Sequence, residues 1–178
     1  LVKDINYLSL NSSPNNLAVI SGVTYFAADD GAHGMELWKT DGTAAGTARV
    51  KDINPGAVAS SPDSLTDVNG TLMFVADDGA SGQEIWKSDG TEVGTVMVKN
   101  SNPSAGSSPS SFTVLGGALF FDADNGTDGT ELWKSDGTAA GTVLVKDINQ
   151  GANSSAPSSL TVLGNTLYFR AFDAASGT

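Results

Sequence analysis

The 178-residue chain is predicted to be an all-β protein, a β-propeller built of four-stranded antiparallel blades of about 48 residues. Three observations point there. The phrase ELWKTDGT at Glu36 to Thr43 returns as EIWKSDGT at Glu84 to Thr91 and as ELWKSDGT at Glu131 to Thr138. Its tryptophans, Trp38, Trp86 and Trp133, lie 48 and 47 residues apart. Each period holds four short apolar runs rich in Val, Phe, Tyr, Leu and Trp, and none shows a 3.6-residue stripe, so strands are expected rather than helices. A flat β-solenoid is the alternative, but its repeats are usually shorter than this period.

The repeats divide the chain at 17–64, 65–111 and 112–159, with residues 1–16 as the end of a preceding blade and 160–178 as the start of a further one. In the third repeat the runs are FTVLG, ALFFDAD, ELWKSD and TVLVKDI. The first two are joined at Gly116-Gly117, with Asn69-Gly70 and Gly164-Asn165 at the matching sites. Gly and Asn accept the positive φ that two-residue hairpin turns require. A polar, Gly-rich loop such as DDGAHG or DNGTDG leads to the third run, and DGTxxGT leads to the fourth. A Pro/Ser/Gly/Asn stretch such as NPGAVASSPDS then crosses the surface to the next unit. Inner strands sandwiched between neighbouring blades should be apolar on both faces, as the adjacent apolar residues of LVKDI and TLYFRA suggest. Counting the fragments, about fifteen strands are expected. The count includes LVKDI at Leu1 to Ile5.

These residues resemble the ELWxxDGT-repeat family of bacterial proteins. The resemblance covers essentially the whole chain, because the VKDI run, the PG/SS linker and the xLYFxAxD strand recur as well. It departs mildly at Ile85 and at VKNSNPS from Val98 to Ser104. It implies tandem repeats of a large, exported, often surface-associated protein with a propeller fold, hence an extracellular or cell-surface location. It carries no shared activity.

Net charge is −11 and the pI is near 4.1. Nine Lys and Arg spread at repeat spacing form no basic footprint, so nucleic acid and anionic membrane are not expected partners. Cysteine is absent, and no apolar run approaches the ~18–20 residues that span a bilayer. Because both ends fall inside repeats, the chain reads as an excerpt of a longer protein whose open blade edges invite self-association.

Three groups of residues could carry chemistry. The loop before each ELW phrase is acidic, with Asp29, Asp30 and Glu36, then Asp77, Asp78 and Glu84, then Asp122, Asp124, Asp128 and Glu131. Clustered carboxylates with Gly suit a hard cation, so calcium is the candidate cofactor and metal ligand set. The plainer reading is a set of turns in which Asp bonds its own backbone amides. The second group is the turn Asp41-Gly42-Thr43, repeated as Asp89-Gly90-Thr91 and Asp136-Gly137-Thr138, read as structural. The third is Trp38, Trp86 and Trp133, which with the neighbouring Glu could stack and hydrogen-bond a sugar, although a tryptophan in every blade is more often a packing residue. His33 is the single histidine and reads as a solvent-exposed loop residue. No nucleophile or phosphate loop is evident. The expected function is therefore non-enzymatic: adhesion, protein interaction or assembly, with other proteins or cell-surface glycans as partners. A lectin with one site per repeat is the alternative, and part of a secreted hydrolase a third reading.

Overall fold

The computed structural model describes residues 1–8 and 11–176; positions 9–10 of the leading fragment and 177–178 of the trailing one lie outside the described residues. Every described strand pairs antiparallel with its neighbour in sequence, and no helix occurs among the described residues. The first sheet runs β1 (Asn15–Ile20), β2 (Val23–Asp29), β3 (Met35–Thr40), β4 (Ala48–Lys51). The second runs β5 (Asp63–Val68), β6 (Thr71–Asp77), β7 (Gln83–Ser88), β8 (Val96–Lys99). The third runs β9 (Ser110–Leu115), β10 (Ala118–Asp124), β11 (Thr130–Ser135), β12 (Val143–Lys146), and a two-stranded sheet of β13 (Ser158–Leu163) and β14 (Thr166–Arg170) follows.

Turn chemistry explains the hairpins. Ser21-Gly22, Asn69-Gly70 and Gly116-Gly117 all take positive φ at both positions, as the commonest two-residue hairpin turn requires. Each sheet's first strand starts two residues ahead of the repeat boundary read from the sequence, at Asn15, Asp63, Ser110 and Ser158. The cause is a bulge. The residue after each start, Asn16, Ser64, Ser111 or Ser159, has φ of 51 to 58° and shifts the register against the next strand. Alternation breaks there, so periodicity alone places the start at the first apolar residue beyond the bulge.

Fourteen strands are present among the described residues, where about fifteen were expected. The missing one is Leu1–Ile5, which is not a strand. An extended segment becomes a strand only by pairing its backbone, and no described residue pairs with this one.

The core lies between sheets. Ile20, Tyr25, Leu37 and Ile53 of the first repeat pack with Phe74 and Trp86 of the second. Val68, Met73 and Ile85 of the second pack with Leu119, Phe121 and Trp133 of the third. Ile5 of the leading segment packs on Phe26 and Trp38 in the same manner. The second strands β2 and β6 are therefore buried along most of their length on both faces. The first strands of successive sheets, β1, β5, β9 and β13, also touch in order.

Lysines latch the first sheet to the second and the second to the third. Lys39 Nζ donates to Gly90 O at 2.8 Å and Lys87 Nζ to Gly137 O at 2.9 Å. A second row runs from Lys3, Lys51 and Lys99 to the carbonyls of Thr47, Thr95 and Thr142 at 2.7, 2.9 and 2.8 Å.

Candidate functional site: the carboxylates and tryptophans of the repeat

The glutamate that opens each ELW phrase sits on the third strand of its sheet, and Glu36, Glu84 and Glu131 are all fully buried. A buried carboxylate is tolerated only when its oxygens are filled with donors. Here the donors come from the linker that leaves the same sheet. Glu36 accepts from the amides of Ile53 and Ser60 at 2.9 Å each and from Ser60 Oγ at 2.7 Å. Glu84 accepts from the amides of Ser101, Asn102 and Ser107 at 3.1, 3.1 and 3.0 Å and from Ser107 Oγ at 2.6 Å. Glu131 accepts from Ile148 N at 3.0 Å, Ser155 N at 2.8 Å and Ser155 Oγ at 2.6 Å. Each glutamate thus clamps a Pro/Ser/Gly linker whose backbone also bonds the first residue of the same strand, Ser61 N to Met35 O, Ser107 N to Gln83 O and Ser155 N to Thr130 O at 2.9 to 3.1 Å. Burial pushes the Glu36 carboxyl above its ordinary value, against the opposing pull of Ser60 and the linker amides.

The aspartates expected to join these glutamates at a metal lie apart from them and serve their own loops. Asp29, Asp77 and Asp124 accept from the amides of Gly31, Gly79 and Gly126 at 2.6, 2.7 and 2.6 Å. Asp30 accepts from Ala32 and His33 amides and pairs with His33 Nδ1 at 2.8 Å. Asp78 accepts from the amides of Ala80 and Ser81. In the third repeat Asn125 takes that turn role and Asp128 accepts from its side-chain amide at 2.7 Å. Burial acts to raise the Asp30 and Asp78 carboxyls, but the loop amides and the His33 or Ser81 side chain outweigh it and hold both below the usual value. Among the described residues, no three His, Cys, Asp or Glu side chains come together as a metal-holding group. Asp122 is buried on β10 and accepts from Ser110 Oγ at 2.9 Å.

The same loops also seat the previous linker. A Cβ on Gly31 would stand 2.7 Å from Asn6 Oδ1, and Gly79 and Gly126 meet Asn54 and Asn102 in the same way. Glycine is required there twice over, by this close approach and by φ of 79 to 83°.

In the DGT turns, Asp41, Asp89 and Asp136 each accept from the amide and hydroxyl of the threonine two residues on, Thr43, Thr91 and Thr138, at 2.7 to 2.9 Å. These threonine hydroxyls and then the amides hold all three carboxyls below their usual value. The threonine hydroxyl in turn accepts from Gly46, Gly94 or Gly141, where a Cβ would collide with the same aspartate. Gly42, Gly90 and Gly137 take φ of 84 to 89°.

Trp38, Trp86 and Trp133 are 4 to 6% exposed, so none offers a free ring face for sugar stacking. Lys99 Nζ lies 5.6 Å from the Trp133 ring centroid, adding a cation–π contact between the second and third sheets. The indole nitrogens of all three are buried without a protein partner.

Sequence reasoning missed the clamp serines Ser60, Ser107 and Ser155 and the latch lysines. A signal existed for the first: each serine follows its glutamate by 23 or 24 residues. Comparisons with protein-family models, curated proteins and solved structures find no match to this chain.

Proposed function

We propose that the chain is a non-enzymatic β-propeller repeat module of a large bacterial cell-surface or secreted protein, serving adhesion, protein interaction or structural assembly. The observation that carries the reading is that the groups recurring in every repeat are spent on the repeat itself. The glutamates clamp linkers, the aspartates close turns, the tryptophans fill the space between sheets, and the lysines bind neighbouring backbone. Catalysis needs unlike environments for its acid and base, and these repeats supply like ones. The propeller geometry is supported by four successive sheets that meet through their first strands, as blades around an axis do. The resemblance to the ELWxxDGT repeats supports the exported setting. The test is a glycan array together with a broad glycosidase and esterase panel on the purified chain. No binding and no turnover are expected. Saturable sugar binding or turnover would replace this reading with a lectin or a hydrolase.

A further inference from the structure

Asn-Gly occurs twice in the chain, at Asn69 and Asn125, and threonine follows both times. In this dipeptide the glycine nitrogen can attack the side-chain carbonyl before it, because glycine has no side chain to shield the approach. The fold places the two sites differently, so each serves as a control for the other.

Asn125 opens the loop that leads to β11, at the position that Asp30 and Asp78 hold in the other repeats. Its Oδ1 accepts from Thr127 N, Thr127 Oγ1 and Asp128 N at 2.9, 2.9 and 2.8 Å. Its Nδ2 donates to Asp128 Oδ2 at 2.7 Å. The next amide, Gly126 N, donates to Asp124 Oδ1 at 2.6 Å. The atom that would become an oxyanion thus already has three donors, and the attacking nitrogen has a carboxylate on its proton. At Asn69 the second feature is present and the first is missing. Gly70 N donates to Asp67 Oδ1 at 2.7 Å and Asn69 Nδ2 to Gly117 O at 3.0 Å, but among the described residues no donor reaches Asn69 Oδ1.

We propose that Asn125 is a site of self-deamidation, driven by the loop that holds it. Gly126 N bonds to Asn125 Cγ while its proton passes to Asp124. The Cγ–Nδ2 bond then breaks, and that proton, returned through solvent, leaves with Nδ2 as ammonia. Water opens the cyclic imide to aspartate or isoaspartate, with no change of oxidation state. The carboxylate formed has no proton to offer Asp128, whereas Asp30 and Asp78 meet donors, His33 Nδ1 and Ser81 Oγ. Isoaspartate also lengthens the main chain beside Gly126, whose Cβ position lies 2.9 Å from Asn102 Oδ1. The modification therefore loosens the seat of the linker between the second and third sheets.

The test is to incubate the 178-residue chain at mildly alkaline pH, folded and in urea, and to follow both sites by peptide mass mapping. In urea the two Asn-Gly-Thr sites should convert at similar rates. In the folded chain Asn125 should convert faster than in urea, and at least about tenfold faster than Asn69. Thr127→Val, which removes one donor from Oδ1, and Asp124→Asn, which removes the proton acceptor, should each slow Asn125 and leave Asn69 at its folded rate. A folded Asn125 that converts no faster than Asn69, or no faster than in urea, would overturn the proposal. That comparison uses the parent chain alone, so it decides the matter whether or not a variant folds.

Discussion

Replacing Glu84 by Gln probes the clamp with almost no change of shape. Two of the four donors meet one oxygen, Ser101 N and Ser107 Oγ, and two meet the other, Asn102 N and Ser107 N. A glutamine keeps one oxygen and turns the second position into a donor. Its best placement sets the NH₂ against Ser107 Oγ, which can rotate to accept, and leaves Ser101 N without a partner. Charge-assisted hydrogen bonds contribute about 1.5–3 kcal/mol each and neutral ones about 0.5–1.5, so one lost and three weakened bonds amount to about 4–6 kcal/mol. Relief of burying a charge returns roughly 2 kcal/mol of this. The net loss expected is about 2–4 kcal/mol, which for a chain of this size lowers Tm by about 5–15 °C. Thermal unfolding followed by tryptophan fluorescence measures it, with the exposed Glu92→Gln as control, expected within about 0.5 kcal/mol of the parent. Amide exchange at Ser101, the donor left without a partner, should accelerate in the Glu84→Gln chain. If that chain melts with the parent and its linker amides stay protected, the carboxylate does not hold the linker.

Trp133→Ala should destabilise the chain by about 3–5 kcal/mol in urea unfolding, because the ring fills the space between the second and third sheets; an unchanged midpoint would deny that packing role. Stability should fall in acid. Asp30, Asp41, Asp78, Asp89 and Asp136 titrate below their ordinary 3.8 when folded, so their contribution is present above pH 3.8 and is lost as pH drops through the folded values. Glu36 runs the other way: it is raised above 4.5, so its share is present below pH 4.5 and is lost as pH rises through the folded value. The triple variant Asp41→Asn/Asp89→Asn/Asp136→Asn should flatten the acid limb of a Tm-against-pH profile, and an unaltered limb would assign acid loss to other groups. Calcium at about millimolar concentration should leave Tm unchanged, since the loop carboxylates already hold amide protons; a rise that a chelator reverses would show that they bind the ion instead.

Strand content was legible because the apolar runs are short and turn residues separate them at fixed offsets. The Asp-Gly-Thr turn was legible for a similar reason, since acceptor, flexible residue and donor stand within three positions. Glu36, Glu84 and Glu131 were harder. A glutamate beside an acidic loop looks like a ligand, and its true donors arrive from a linker some 17 to 24 residues later. Such long-range hydrogen bonds leave no periodic trace in hydropathy. Leu1–Ile5 was read as a strand from its match to the fourth run of the third repeat, and such a match reports what a segment can become but not the presence of a partner.

The latch lysines have a bearing on how such an array can change over time. Lys3, Lys51 and Lys99, like Lys39 and Lys87, all donate to a main-chain carbonyl of the following unit, and Lys99 adds a contact to the Trp133 ring. A carbonyl oxygen is the same whatever residue carries it, so these hydrogen bonds do not depend on the identity of the residue they meet, and the apolar side chains that pack beside them recur in each repeat. A freshly duplicated unit would dock without compensating substitutions, and an excised one would leave two ends that still match. Surface loops can diverge under those conditions while the joints stay interchangeable, and the number of units becomes a quantity that recombination can adjust.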